Sequence, residues 1–232
     1  MSFVGDISTA LDGTHIKFGC APELIPADWQ WNARLSSRVS GVGLSVVTRD
    51  QLEVMPFAAT SELTEQVTYL GRPLSLQQAP DDEGWVAIWA GSQHAIIMGM
   101  TTKPDLAPIV DLLQTVWLND KVAGLTIQPR QSETSLSLLQ GRRYVAGVGP
   151  VTAFPRDASQ SLVPPGTGKP VSNGAVWQIS IETGGKQRGQ KWLHVGSSVV
   201  LTVDDALGVD PNVNERNIEN FLQTVEARWA HK

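Results

Sequence analysis

Apolar residues recur at helical spacing in two stretches of this chain. Over 105–117 (DLAPIVDLLQTVW), Leu106, Ile109, Val110, Leu113, Val116 and Trp117 fall on one face. Over 217–229 (NIENFLQTVEARW), Ile218, Phe221, Leu222, Val225 and Trp229 repeat the stripe. That spacing predicts one amphipathic helix in each stretch. Pro108 is tolerated only near a helix start, which places the first start near Asp105. Asn214 is the natural N-cap of the second, with Glu215 and Glu219 carrying the sign of charge that suits its N-terminus.

Each stretch follows a pattern of apolar strand, Gly-Ser turn, apolar strand: WVAIWAGSQHAIIMGM over 85–100 and WLHVGSSVVLTV over 192–203. Both helical stretches also carry the word Leu-Gln-Thr-Val, at 113–116 and 222–225. The word alone is within reach of chance. The shared order of hairpin then helix around it predicts an internal duplication. The expected fold class is α+β: two similar units, each a mostly antiparallel sheet with a long amphipathic helix after a β-hairpin. The first unit is expected over 1–123 and the second over 124–232.

Shorter signals fill in the rest. Strands are expected over 14–19, over 42–48 and 52–57 around an Arg49-Asp50-Gln51 turn, and over 67–70 and 74–78 around Gly71-Arg72-Pro73. A short helical turn is expected over 61–66, and an acidic loop over 80–84. Further strands are expected over 124–129, 136–139, 143–148 and 175–182. The segment 21–31, broken by Pro22 and Pro26, reads as an ordered loop anchored by Trp29 and Trp31. The segment 154–174 holds four prolines and little to bury, so it is expected to be a long Pro/Gly loop. The hairpin-then-helix ending, with an early aromatic-rich loop, is similar to Mog1/PsbP-type and other small α+β binding folds. No motif carries a residue role over from them.

Composition narrows the class. The 232 residues are 41% apolar and 18% charged, which describes a globular chain able to bury a core. A formal charge of −5 argues against general nucleic-acid binding and against anionic membrane surfaces. A single cysteine, Cys20, rules out an internal disulfide and fits a reducing compartment, and the N-terminus lacks a signal-peptide pattern. The chain is therefore expected to be soluble and cytoplasmic.

Candidate chemistry is thin. Pro164-Pro165-Gly166-Thr167-Gly168-Lys169 imitates a P-loop, but Val163 stands where the first glycine belongs and Pro170 where a metal-binding hydroxyl belongs. Cys20 lacks a protease signature. His15, His94, His194 and His231 have no metal-ligand spacing, so no metal and no cofactor are expected. The carboxylate runs Asp81-Asp82-Glu83 and Asp204-Asp205 lack calcium-loop spacing. Arg142, Arg143, Lys186, Arg188 and Lys191 would form a basic patch if their hairpins share one end. Of the eight tryptophans, Trp29, Trp31 and Trp229 are those expected to be partly exposed.

The functional expectation is a non-enzymatic, protein-binding or assembly module, with the option of a homo-oligomer. Trp29, Trp31, Arg142, Arg143, Lys186, Arg188 and the 154–174 loop are its expected contacts with a protein partner. The alternative is an enzyme with its active site in a cleft between the two units.

Overall fold

Alternation of buried and exposed residues, rather than helical periodicity, governs most of this chain. A computed structural model describes residues 4–24, 26–55, 61–79, 84–183, 186–204 and 213–230, leaving aside the side chains at 4, 181–183 and 186–189. It is 56% strand and 14% helix. In chain order the strands are β1 (Val4–Thr9), β2 (His15–Cys20), β3 (Gln30–Ser36), β4 (Gly41–Thr48), β5 (Glu62–Tyr69), β6 (Arg72–Gln78), β7 (Trp85–Ala90) and β8 (His94–Met100). They continue as β9 (Val116–Lys121), β10 (Gly124–Pro129), β11 (Ser135–Val145), β12 (Gly149–Pro155), β13 (Lys169–Val171), β14 (Gly174–Thr183), β15 (Lys186–Val195), β16 (Val199–Asp204) and β17 (Glu226–Ala230). The helices are α1 (Arg49–Glu53), α2 (Leu106–Gln114) and α3 (Glu215–Thr224).

The α+β expectation is overturned: the described chain is mainly β, with a twelve-stranded sheet and three short helices. Both long helices end early for the same physical reason. At the Thr-Val step of the repeated word, the threonine hydroxyls turn back to helix carbonyls. Thr115 Oγ1 donates to Leu112 O at 2.7 Å and Thr224 Oγ1 to Asn220 O at 2.8 Å. Both bonds fall in the last turn of their helix; the β-branched valine that follows then opens β9 at Val116 and caps α3 at Val225, one residue before β17. Beyond that point a period of two replaces one of 3.6. Val116 is therefore buried while Trp117 is 60% exposed, and in β17 buried Ala227 and Trp229 alternate with exposed Glu226, Arg228 and Ala230. The N-terminus of α3 is as expected: Asn214 Oδ1 accepts from the Asn217 N–H at 2.9 Å.

The chain falls into two compact units that do not follow the 1–123 and 124–232 halves. One comprises Thr9–Gly13 and Gln30–Leu139; the other comprises Met1–Ser8, Thr14–Trp29 and Gln140–Lys232. Within the first, antiparallel strands run in the order β3-β4-β8-β7-β6-β5. Trp89, Ile96 and Met98 are buried on one face of this sheet, and Val47, Ile88, Ala95 and Ile97 pack on the other with Leu52 of α1. α1 forms where a turn and a strand were expected, because Thr48 and Gln51 close a capping box at its start. Part of the expected 52–57 strand, residues 56–57, lies outside the described residues. The helical turn expected over 61–66 is instead strand, the beginning of β5. β9 and β10 make a separate hairpin.

The second unit repeats the same strand order, β11-β12-β16-β15-β14-β13, using the C-terminal half of β11. Its 154–174 segment is only partly loop, holding a 3-10 turn at Gln160–Leu162 and β13. Val163 from this segment packs with Trp177 and Ile179 against Leu193, Val195 and Val200. The P-loop imitation resolves as packing too: a Cβ on Gly168 would lie 2.7 Å from ring carbons of Trp177. A three-stranded sheet, β1-β2-β17, completes this unit.

Candidate functional site

The sheet β1-β2-β17 builds the site. β17 pairs antiparallel with β2 in a register that sets Ala227 opposite Phe18, Arg228 opposite Lys17, and Glu226 opposite Gly19. With a period of two, Ile16, Phe18, Ala227 and Trp229 turn inward and are buried, while Lys17, Glu226 and Arg228 face outward. Trp229 is anchored by Nε1 donating to Thr14 Oγ1 at 2.7 Å and by its backbone N–H donating to Ser198 Oγ at 2.9 Å.

Beneath this sheet, Arg143 is a rivet. Only 3% exposed, its guanidinium stacks 4.8 Å from the Phe18 ring centroid and 4.6 Å from that of Trp29. Its Nε donates to Ala27 O at 2.8 Å, and its two Nη atoms donate to the Asp6 carboxylate at 3.1 and 2.9 Å. Phe18 and Trp29 meet edge to face at 5.4 Å. A planar, permanently charged fork between two rings and one carboxylate is geometry that lysine cannot reproduce.

Above it lies a cleft of about 490 Å³, lined by Gly5, Asp6, Ile7, Lys17, Phe18, Gly19, Glu226 and Arg228. Gly5 contributes to its depth: a Cβ there would come within 3.3 Å of Phe18 O and 3.8 Å of Gly19 Cα. The charges divide into two sets. Asp6 is committed to Arg143. Among the described residues, Lys17, Arg228 and Glu226 make no ion pair and no side-chain hydrogen bond. Two like charges directly opposite on paired strands destabilise a sheet; Lys17 and Arg228 are such a pair, with Glu226 on the same outward face and Ile7, which is 66% exposed, also lining the cleft.

The residues singled out from sequence are placed differently. Trp29, Trp31 and Trp229 are all buried, and Arg143 lies beneath the cleft rather than in a surface patch. Arg142, next along β11, is exposed, so strand alternation separates the two arginines. The side chains of Lys186 and Arg188 lie outside the described residues, as do residues 80–83, Asp205 and His231. Lys191 pairs with Asp204 at 3.4 Å. Glu226 and Arg228 were hidden because 217–229 has the periodicity of a helix, and Lys17, in the strand expected over 14–19, has no partner until β17 pairs with β2. The one available signal was the alternation in EARWA, charged residues between apolar ones.

The nucleophile and base candidates do not assemble. Cys20 is buried and donates to Leu24 O at 3.0 Å; burial pushes its thiol up, against the pull of Arg143. His194 is 1% exposed with both ring nitrogens unpartnered among the described residues. His94 Nδ1 sits 2.8 Å from Asp120 Oδ1, and the other oxygen of that carboxylate accepts from Ser92 Oγ and the Gln93 N–H. This cluster ties the β7–β8 turn to β9. Among the described residues, no three His, Cys, Asp or Glu side chains converge as a metal site would need, and no helix is long and apolar enough to cross a membrane. No family model, curated protein or solved structure matches this chain.

Proposed function

We propose that this chain is a non-enzymatic binding module and that the cleft on β1-β2-β17 is its binding surface. The observation that carries this reading is the pair Lys17 and Arg228, directly opposed across β2 and β17, neither held in an ion pair, in a cleft that an exposed Ile7 also lines. An arriving anionic group relieves their mutual repulsion, so the site stores a preference for an occupied state. The cleft's volume lies within the roughly 300–1,000 Å³ of small-molecule sites. The buried rivet of Arg143 keeps the floor rigid, so little ordering cost opposes binding.

The repeated strand order supports an internal duplication, with the binding surface on one copy. The same reading keeps the cytoplasmic placement, which suits a free, buried Cys20 thiol. Partner recognition through exposed tryptophans is not part of it, since Trp29 and Trp31 serve the core.

The test is differential scanning fluorimetry of the whole chain at low ionic strength, with acetate, citrate, inorganic phosphate and short peptides as probes. At least one is expected to raise the melting temperature saturably, as a ligand that binds only the folded state must. The Lys17→Gln/Arg228→Gln double variant is expected to fold normally and lose that rise. A rise that survives in the double variant would place binding elsewhere.

A further inference from the structure

The third uncommitted charge in the cleft defines the ligand further. We infer, resting on the binding reading above, that the occupant is a zwitterion of dipeptide length with an apolar side chain. Glu226 lies two residues before Arg228 on the same outward face of β17, roughly 6.6 Å along the strand at about 3.3 Å per residue. Lys17 faces Arg228 directly, and Cβ atoms of such partners are about 5 Å apart. Their flexible ends can therefore converge on one carboxylate. Glu226 makes no ion pair with either cation, so the two signs are held apart instead of cancelling.

A ligand satisfying all three groups carries its anion at the Lys17–Arg228 end and a cation at the Glu226 end. A free α-amino acid holds its charges on adjacent atoms of one Cα. One further residue adds about 3.6 Å of reach, which brings the termini of a dipeptide close to the spacing along β17. Gly5 and Gly19 leave the floor bare for peptide backbone, and Ile7 offers the apolar contact for a side chain. Asp6 does not compete for the ligand's ammonium, because both of its oxygens are held by Arg143.

Isothermal titration of the full-length chain at pH 7 and low salt tests this with four probes: Leu-Leu, N-acetyl-Leu-Leu, Leu-Leu amide and leucine. Leu-Leu is expected to bind best. Removing either terminal charge is expected to weaken binding about tenfold, the worth of one charge-assisted contact. In Glu226→Gln the difference between Leu-Leu and its N-acetyl form is expected to vanish. In Lys17→Gln/Arg228→Gln the difference between Leu-Leu and its amide is expected to vanish. Equal binding of Leu-Leu and N-acetyl-Leu-Leu to the unaltered chain overturns the zwitterion while leaving an anion-binding cleft intact. Leucine binding as tightly as Leu-Leu overturns the dipeptide length. Should none of the carboxylate-bearing probes bind, with acetate, citrate and phosphate equally silent, the zwitterion and the binding reading fall together.

Discussion

Arg143 and Asp6 meet through two parallel hydrogen bonds, 3.1 and 2.9 Å long, with the arginine fully enclosed and the aspartate side chain 45% exposed. That asymmetry decides what each substitution costs. Arg143→Met leaves Ala27 O without its donor and strips two rings of their cation, while Asp6 rehydrates. The expected loss is about 2–4 kcal/mol of unfolding free energy. Arg143→Lys keeps the charge and loses the fork, so it is expected to cost about 2 kcal/mol. Urea denaturation followed by tryptophan fluorescence measures both. A lysine variant as stable as the parent would show that the stacked fork contributes nothing.

Asp120 is expected to make the protein acid-sensitive over a defined range. Burial pushes its carboxyl up, but hydrogen bonds from the Gln93 N–H, His94 and Ser92 outweigh that and hold it below its ordinary 3.8. The unfolded chain then takes up this proton first as pH falls, so stability is complete above about pH 3.8 and declines as pH drops toward the folded value. Asp120→Asn is expected to lower stability at pH 7 and flatten the curve below pH 4. The check is a series of melting temperatures from pH 7 to pH 2.5, and parallel curves for the two proteins would refute it.

His194 gives a second acid response, at higher pH. Burial lowers its affinity for protons below the ordinary value of 6.5, and no described side chain offers a partner to the charged ring. Between the folded value and pH 6.5 the unfolded state binds a proton that the native state does not. Stability therefore falls as pH drops through 6.5 and levels off below the folded value. His194→Leu is expected to abolish that slope near pH 6 and leave the Asp120 slope untouched. It also removes two unsatisfied buried nitrogens, so stability at pH 7 is expected to hold or rise. A variant retaining the full slope would place the titrating group elsewhere.

Gly168→Ala is expected to destabilise by about 1–3 kcal/mol, the usual cost of overpacking. Its Cβ would press on the stiff indole of Trp177, 2.7 Å away. The same substitution should shift tryptophan emission, because Trp177 must move. If both stability and emission are unaltered, the glycine is not there for the indole.

The segment 217–229 shows how far the chain could be read without coordinates. Asn214, Ile218, Phe221 and Leu222 were legible as cap and core face because a helix writes its period into local order. Arg228 was not, since a valine or tryptophan after Thr224 satisfies a helical stripe and a strand alternation equally over so short a stretch. Thr115 and Thr224 were the signal at the boundary: a β-branched residue with a hydroxyl ends a helix as readily as it continues one. Trp117 and Trp229 then separate, one exposed and one buried, because each takes its environment from a strand and not from the helix before it.

Local order in this chain specified which segments are apolar, where α3 begins, the Gly-Ser hairpins, and the lack of a phosphate loop. Those properties depend on neighbours a few residues apart, whose preferences act before any fold exists. The ladder orders, the burial of Arg143 between Phe18 and Trp29, and the meeting of Lys17 with Arg228 came from tertiary structure alone. Strand pairing joins residues at opposite ends of the chain through backbone hydrogen bonds, which are nearly indifferent to side chain. Partner and register are therefore chosen by the total burial of the finished sheets, a quantity that no single stretch of sequence carries.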